Sequence, residues 1–208
     1  MSAEADRAAA QVPGWRPYDT ETLAGIRAPH AAVATLATRG LPENADEHFV
    51  RVPRRELELA EIPEIGPVAF LGQVEDGYNN TYWLSLADGS VWMRYGREDR
   101  PAHHVNRIDE SVSALQDVLE AWCEAQYAGI SVDNDPEAYE QLIERSVLRA
   151  VSADPGAFTD PGNWWSRTFE ELEYTAPRVL RGERCLYEYA CRDSSGAWVL
   201  EHPGYEAE

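Results

Sequence analysis

Thr81-Tyr82-Trp83-Leu84-Ser85-Leu86-Ala87-Asp88-Gly89-Ser90-Val91-Trp92-Met93-Arg94-Tyr95 is the stretch that decides the fold. Two β-prone runs, Thr81 to Leu86 and Val91 to Tyr95, flank a turn built on Asp-Gly. Asp-Gly supplies the positive φ angles of a type I′ turn, which predicts a tight antiparallel hairpin. With Asp88-Gly89 as the loop, Leu86 opposes Val91, Leu84 opposes Met93 and Tyr82 opposes Tyr95. Those six form one apolar face. Thr81, Trp83, Ser85, Trp92 and Arg94 form the other, with Trp83 opposite Arg94 and diagonal to Trp92.

The pattern on either side extends this hairpin into a sheet with helices. Val68 to Gly72 reads as a third strand, joined through the turn-rich Glu75-Asp76-Gly77-Tyr78-Asn79-Asn80. Upstream, a helix starts at Pro29 with Val33, Leu36 and Ala37 on one face. Gly40 and Pro42 stop it, as a left-handed cap and a residue that cannot continue a helix. Residues 43–67 are charged and carry Pro53, Pro63 and Pro67, so they read as loop with one edge strand. After Asn106 the period changes from two to 3.6. Asp109 is the expected cap of a helix whose stripe is Val112, Leu115, Val118, Leu119 and Trp122, ending near Gly129. Asp135-Pro136-Glu137 opens the next, with Tyr139, Leu142, Ile143, Val147 and Ala150 as its stripe. Asp154-Pro155 and Asp160-Pro161-Gly162-Asn163 read as turns, Trp164 to Leu172 as a shorter helix, and Cys185–Cys191 with Ala197–Glu201 as a final hairpin.

The resulting class is α+β: a central antiparallel sheet with helices packed against it, plus a C-terminal hairpin. The expected organisation is a frayed lead over 1–17, one α+β domain over 18–176, and the hairpin extension over 177–208.

Composition narrows the function. The chain has 208 residues and a formal net charge of −19. Residues 1–107 hold 11 Arg and 16 acids (−5), whereas residues 108–208 hold 7 Arg and 21 acids (−14). Such a field repels nucleic acid and speeds association with a basic partner; acidity also serves solubility alone. Every basic side chain other than histidine is Arg, and Lys is absent. No apolar run is long enough to span a bilayer, and the first residues lack a signal peptide's basic start and apolar middle. The expected location is therefore the cytoplasm, with no membrane partner. Three cysteines fit that compartment: Cys185 and Cys191, on one strand, sit about 20 Å apart at roughly 3.3 Å per residue, too far for a disulfide.

Motifs for catalysis are missing. There is no phosphate-binding Gly-rich loop, nucleophile elbow, His-Glu-x-x-His or calcium loop, and no zinc-deaminase pairing. No cofactor or metal is expected. His103-His104, near Asp99 and Asp109, is the best acid–base or metal candidate, but adjacent residues in an extended segment point to opposite sides. Cys123, beside Trp122, reads as a small core residue.

Residues suited to binding are present. Trp83, Trp92 and Arg94 on one sheet face, with Tyr78 in the loop above, are types that anchor interfaces, and Arg over Trp gains a cation–π attraction. The competing reading is that helices cover this face and make the tryptophans core. Of Trp164-Trp165, one packs inward and the other can be exposed. Asp133, Asp135, Glu137, Glu140 and Glu144 form an acidic run, either a wet helix face or a surface for an Arg/Lys-rich partner.

The succession Arg39-Gly40-Leu41-Pro42, Phe70-Leu71-Gly72, Asp88-Gly89-Ser90-Val91, and Val105-Asn106 opening the Ser111-Val112 helix resembles the SUKH superfamily, closest to its fourth subfamily, known from actinomycetes. Trp164-Trp165 after Asp160-Pro161-Gly162 fits that subfamily's C-terminal helix. Arg107-Ile108 stands where a pair of small residues is usual. The resemblance covers roughly residues 20–175. It implies an α+β fold and an immunity protein without catalytic residues, which binds a cognate toxin, often a nuclease or deaminase, and blocks it. A superfamily member acting as a regulator or scaffold is the alternative, and an enzyme using His103 or His104 is a third. The oligomeric state stays open.

Overall fold

The hairpin at residues 81–94 is the centre of an antiparallel sheet. The structure, a computed structural model, describes residues 14–45, 47–75, 80–97, 104–129, 136–175, 191–192 and 198–199. They fall into two compact units, one ending at Gln116 and one beginning at Asp117.

The first unit runs β1 (Trp15–Arg16), α1 (Thr20–Ala24), α2 (His30–Thr38), β2 (Leu41–Pro42), β3 (Asn44–Ala45), β4 (Phe49–Val50), a 3-10 turn at Pro53–Arg55, β5 (Leu59–Ile62), β6 (Gly66–Gln73), β7 (Thr81–Ser85), β8 (Val91–Arg94) and β9 (Val105–Asp109). It ends in the first turns of α3 (Val112–Gly129). The main sheet has the order β3-β4-β6-β7-β8-β9, with β5 also paired to β6, and β1 pairs separately with β2. The class is α+β, as the sequence predicts.

The hairpin forms with a register two residues away from the predicted one. Leu84 opposes Val91, Tyr82 opposes Met93, Trp83 opposes Trp92 and Thr81 opposes Arg94. A type I′ loop needs two residues at positive φ, and here only Gly89 has one, at +82°. The loop is four residues long instead. The Gly89 N–H donates to the Ser85 carbonyl at 3.0 Å, and the Asp88 carboxylate accepts from the Ser90 N–H at 3.0 Å and its hydroxyl at 2.6 Å. A shift by two keeps every side chain on its predicted face, because strand alternation has period two.

Both faces of β7 are buried. On one, Leu84 lies between Ala69 of β6 and Val91 of β8, all fully buried. On the other, Trp83 packs with Ile62, Val68 and Phe70.

Residues 43–67 hold more order than the sequence suggests. β3 and β4 are two residues each, too short to show alternation. Trp15 and Arg16, expected to be frayed, pair with Pro42 and Leu41. Arg51 ties these pieces together. Its side chain is 1% exposed and lies 3.8 Å above the Tyr18 ring. One guanidinium nitrogen donates to the Arg16 carbonyl at 2.6 Å, and another meets the Glu56 carboxylate at 2.8 Å. Glu56 also pairs with Arg16, which reaches Glu43 at 3.0 Å. Burial pushes the Tyr18 hydroxyl well above its ordinary range, opposed by the Arg51 charge.

α2 buries Ala32 and Leu36, while Ala37 is exposed. Gly40 caps it at φ +69°, as predicted. A Cβ there would stand 1.9 Å from the Arg16 carbonyl oxygen, so glycine is also what lets β1 approach β2. α3 is capped by Ser111, whose hydroxyl oxygen accepts from the Ala114 N–H at 3.1 Å. Asp109, the expected cap, is instead the buried last residue of β9. The Gln116 amide donates to the Gly40 carbonyl.

The second unit contains the rest of α3, α4 (Pro136–Ala153), α5 (Pro155–Thr159), α6 (Trp164–Thr175) and the paired β10 (Cys191–Arg192) and β11 (Trp198–Val199). The last two are the described part of the predicted terminal hairpin. Asp154-Pro155 opens α5 instead of a plain turn, because the Asp154 carboxylate accepts from the Ala157 N–H at 3.1 Å and proline suits the first helical position. Phe169 is the hub of this core, with Trp122 and Phe158 each edge-on at 5.6 Å and Trp165 at 6.4 Å. Leu142, Ile143, Val147 and Ala150 are buried as the stripe predicts.

Gly40→Ala adds both a strained φ and a clash with backbone, so it is expected to cost more than about 2 kcal/mol of stability in urea unfolding. Gly14→Ala, with open space around its Cβ, is the silent control. Asp88 is held below its ordinary 3.8 by the Ser90 hydroxyl and amide. The unfolded chain therefore binds the proton more readily, and this stabilisation is present above the ordinary value and lost as pH falls through the lowered one. Melting temperatures measured down an acid series should fall less steeply for Asp88→Asn than for the parent.

Candidate partner-binding surface

The predicted aromatic anchors divide between core and surface. Trp83 is only 3% exposed. Its ring meets Phe70 edge-on at 5.4 Å, and its indole N–H donates to the Thr81 hydroxyl at 2.8 Å. Among the described residues, its cluster contains no helical residue. Ile62 of β5 belongs to the same cluster, and Val52, Ala60, Ile65 and Val105 pack around it. Arg55, from the 3-10 turn, lies 4.1 Å over Phe70. Arg94 is also buried and donates to the Gly96 carbonyl at 2.8 Å. It faces Thr81, not Trp83. Trp92 is half-buried, with its indole N–H on the Ser90 hydroxyl at 2.8 Å. Tyr78, Asp133 and Asp135 lie outside the described residues.

On α4, Glu137 is exposed and Glu140 half-buried. Residues 137, 140 and 144 fall on one stripe of the helix. Further along, the charges are matched across the unit: Arg145 meets Glu124 at 2.9 Å, and Arg149 meets Glu120 and, at 3.5 Å, Glu124. Trp165 is fully buried and Trp164 half-buried.

His103 is outside the described residues. The exposed His104 ring stacks on Tyr95, with centroids 3.9 Å apart and planes 16° apart. Its carbonyl accepts from the Tyr95 N–H at 3.1 Å. Among the described residues no group of His, Cys, Asp or Glu is arranged to hold a metal ion. Cys123 is buried and forms no disulfide.

β5 is the edge strand expected within residues 43–67, although the sequence reading did not locate it there. Leu59 is 57% exposed, the one large apolar side chain in that state among the described residues. Its strand neighbours Ala60 and Ile62 turn to the Trp83 cluster, so Leu59 and Glu61 project from the other face. The signal was faint: two apolar residues out of phase with Leu59, between Pro53 and Pro63.

Trp83→Ala should cost about 3–5 kcal/mol of stability, whereas Trp92→Ala should cost about 1 kcal/mol. Denaturant titrations of the two variants separate a core tryptophan from a surface one.

Comparison with curated proteins and with solved structures finds no match. Comparison with protein families does: residues 17–171 match the SUKH-4 immunity protein family, spanning the main sheet, the aromatic hub and the helix caps described above. The chain belongs to the SUKH-4 immunity protein family.

Proposed function

We propose that the protein protects the cell that makes it by binding a cognate toxin domain in the cytoplasm, one to one, and covering the surface on which that toxin acts. Membership of an immunity family supplies the role; one feature of this chain supplies the partner's character. Several of its cations are already engaged by groups of the chain itself. Arg16, Arg51, Arg55, Arg145 and Arg149 are each held against a carboxylate, and Arg39 lies 3.9 Å over Trp15. With a net charge of −19, the surface left to a partner is rich in carboxylate. A toxin that works on nucleic acid carries a cationic groove, and an acidic inhibitor is drawn to it from a distance. The half-exposed Trp92 is the described member of the predicted aromatic set placed to contribute a buried anchor.

Co-expression with the toxin domain encoded in the adjoining reading frame should restore growth, and the purified pair should elute as one complex. Its association rate should fall by roughly tenfold or more on raising salt from about 20 mM to about 300 mM. Continued toxicity, or a salt-independent rate, would count against this function or against the cationic partner respectively.

A further inference from the structure

Among the described residues, the sheet of the first unit has an open side at β5. β5 pairs with β6 through Leu59↔Ala69, Ala60↔Val68, Glu61↔Pro67 and Ile62↔Gly66. The Phe70 N–H donates to the Glu58 carbonyl at 2.9 Å, which sets the phase of the ladder. The Glu58 carbonyl and the backbone groups of Ala60 and Ile62 are therefore on the β6 side of the ladder, and Leu59 and Glu61 direct theirs away from it. Pro67 confirms the phase independently. It lacks an N–H, and its carbonyl accepts from Leu86 at 3.0 Å, on the side away from β5. Among the described residues no strand pairs with β5 on its outer side.

Leu59 marks the same edge. Val91, Leu84 and Ala69 form a buried row across β8, β7 and β6, and Leu59 is the next member of it. The row is fully buried up to Ala69 and surfaces at Leu59, which is 57% exposed. An added strand would continue the ladder and cover this side chain.

The neighbouring charges choose the occupant. Glu61 and Glu64 are exposed and have no ion-pair partner among the described residues. A second copy paired edge to edge would bring these carboxylates together, which is unfavourable. A basic extended segment would not. We propose that the outer edge of β5 receives an extended cationic segment of the toxin as an additional strand, with an apolar side chain against Leu59. This mode of recognition takes affinity from main-chain hydrogen bonds and selectivity from alternate side chains. The inference rests on the toxin-binding reading above and assigns it a surface.

Amide hydrogen exchange on the full chain, alone and with the toxin domain from the adjoining reading frame, tests it directly. In the free protein the Leu59 and Glu61 amides should exchange fast, and those of Ala60 and Ile62 slowly. In the complex Leu59 and Glu61 should become protected. Leu59→Asp, at an exposed position that should leave the melting temperature unchanged, should weaken binding roughly 10- to 100-fold, and Glu61→Arg should weaken it too. If the toxin is neutralised while Leu59 and Glu61 stay unprotected and Leu59→Asp binds as tightly as the parent, the edge proposal falls and the immunity reading stands. Protection of those amides in the free protein that rises with its concentration would mean a second copy holds the edge, and would also overturn the proposal. If the parent neutralises no toxin, both fall.

Discussion

The first unit depends on a buried guanidinium. Arg51 brings one full charge into a place with almost no solvent, and an uncompensated charge there would cost several kcal/mol. The structure compensates it on three sides: the Tyr18 ring face, the Arg16 and Leu41 carbonyls, and the Glu56 carboxylate. The partners come from three segments of the chain, around residues 16–18, 41 and 56. Satisfying Arg51 therefore fixes where β1, β2 and the 3-10 turn lie relative to β4. A lysine could not do this. Its ammonium is a compact donor without the planar fork that reaches two carbonyls and a carboxylate together. The absence of Lys from the whole chain removes that question from every other ion pair too.

Much of the fold was legible because helices and hairpins announce themselves through local rules. The stripe beginning at Val112 is buried, that beginning at Tyr139 is buried from Leu142 onward with Tyr139 half-buried, Gly40 takes the left-handed cap, and the alternation from Thr81 to Ser85 sorts side chains to their faces. What was not legible depends on partners distant in sequence. Asp88 alone does not say whether its carboxylate will accept from Ser90 and widen the loop. The two-residue strands β3 and β4 exist only because β6 and Arg51 give them partners.

The candidate site was harder to see for a related reason. Tryptophan serves equally as core filler and as interface anchor, and sequence alone does not reveal what covers it. Trp83 is covered in good part by residues 52–65, a stretch that read as loop with an unplaced edge strand, whereas Trp92, across the ladder, is only half-buried. The family was the more legible feature, because the order of its short motifs survives although each one is common. Residues 17–171 match it, close to the span on which the resemblance rested.

The distances in sequence that Arg51 and its neighbours bridge carry a kinetic consequence. β5 through β8 form a meander whose strands are adjacent in the chain, and such contacts close short loops. The Arg51 contact to Arg16 spans 35 residues, the Tyr82 hydroxyl reaches the His48 carbonyl across 34, and the Gln116 amide reaches Gly40 across 76. Topology of this kind favours assembly of the meander first, with the N-terminal segment docking late. Arg51 would then act as a latch, entering its site only after the ring and carboxylate that neutralise it have arrived.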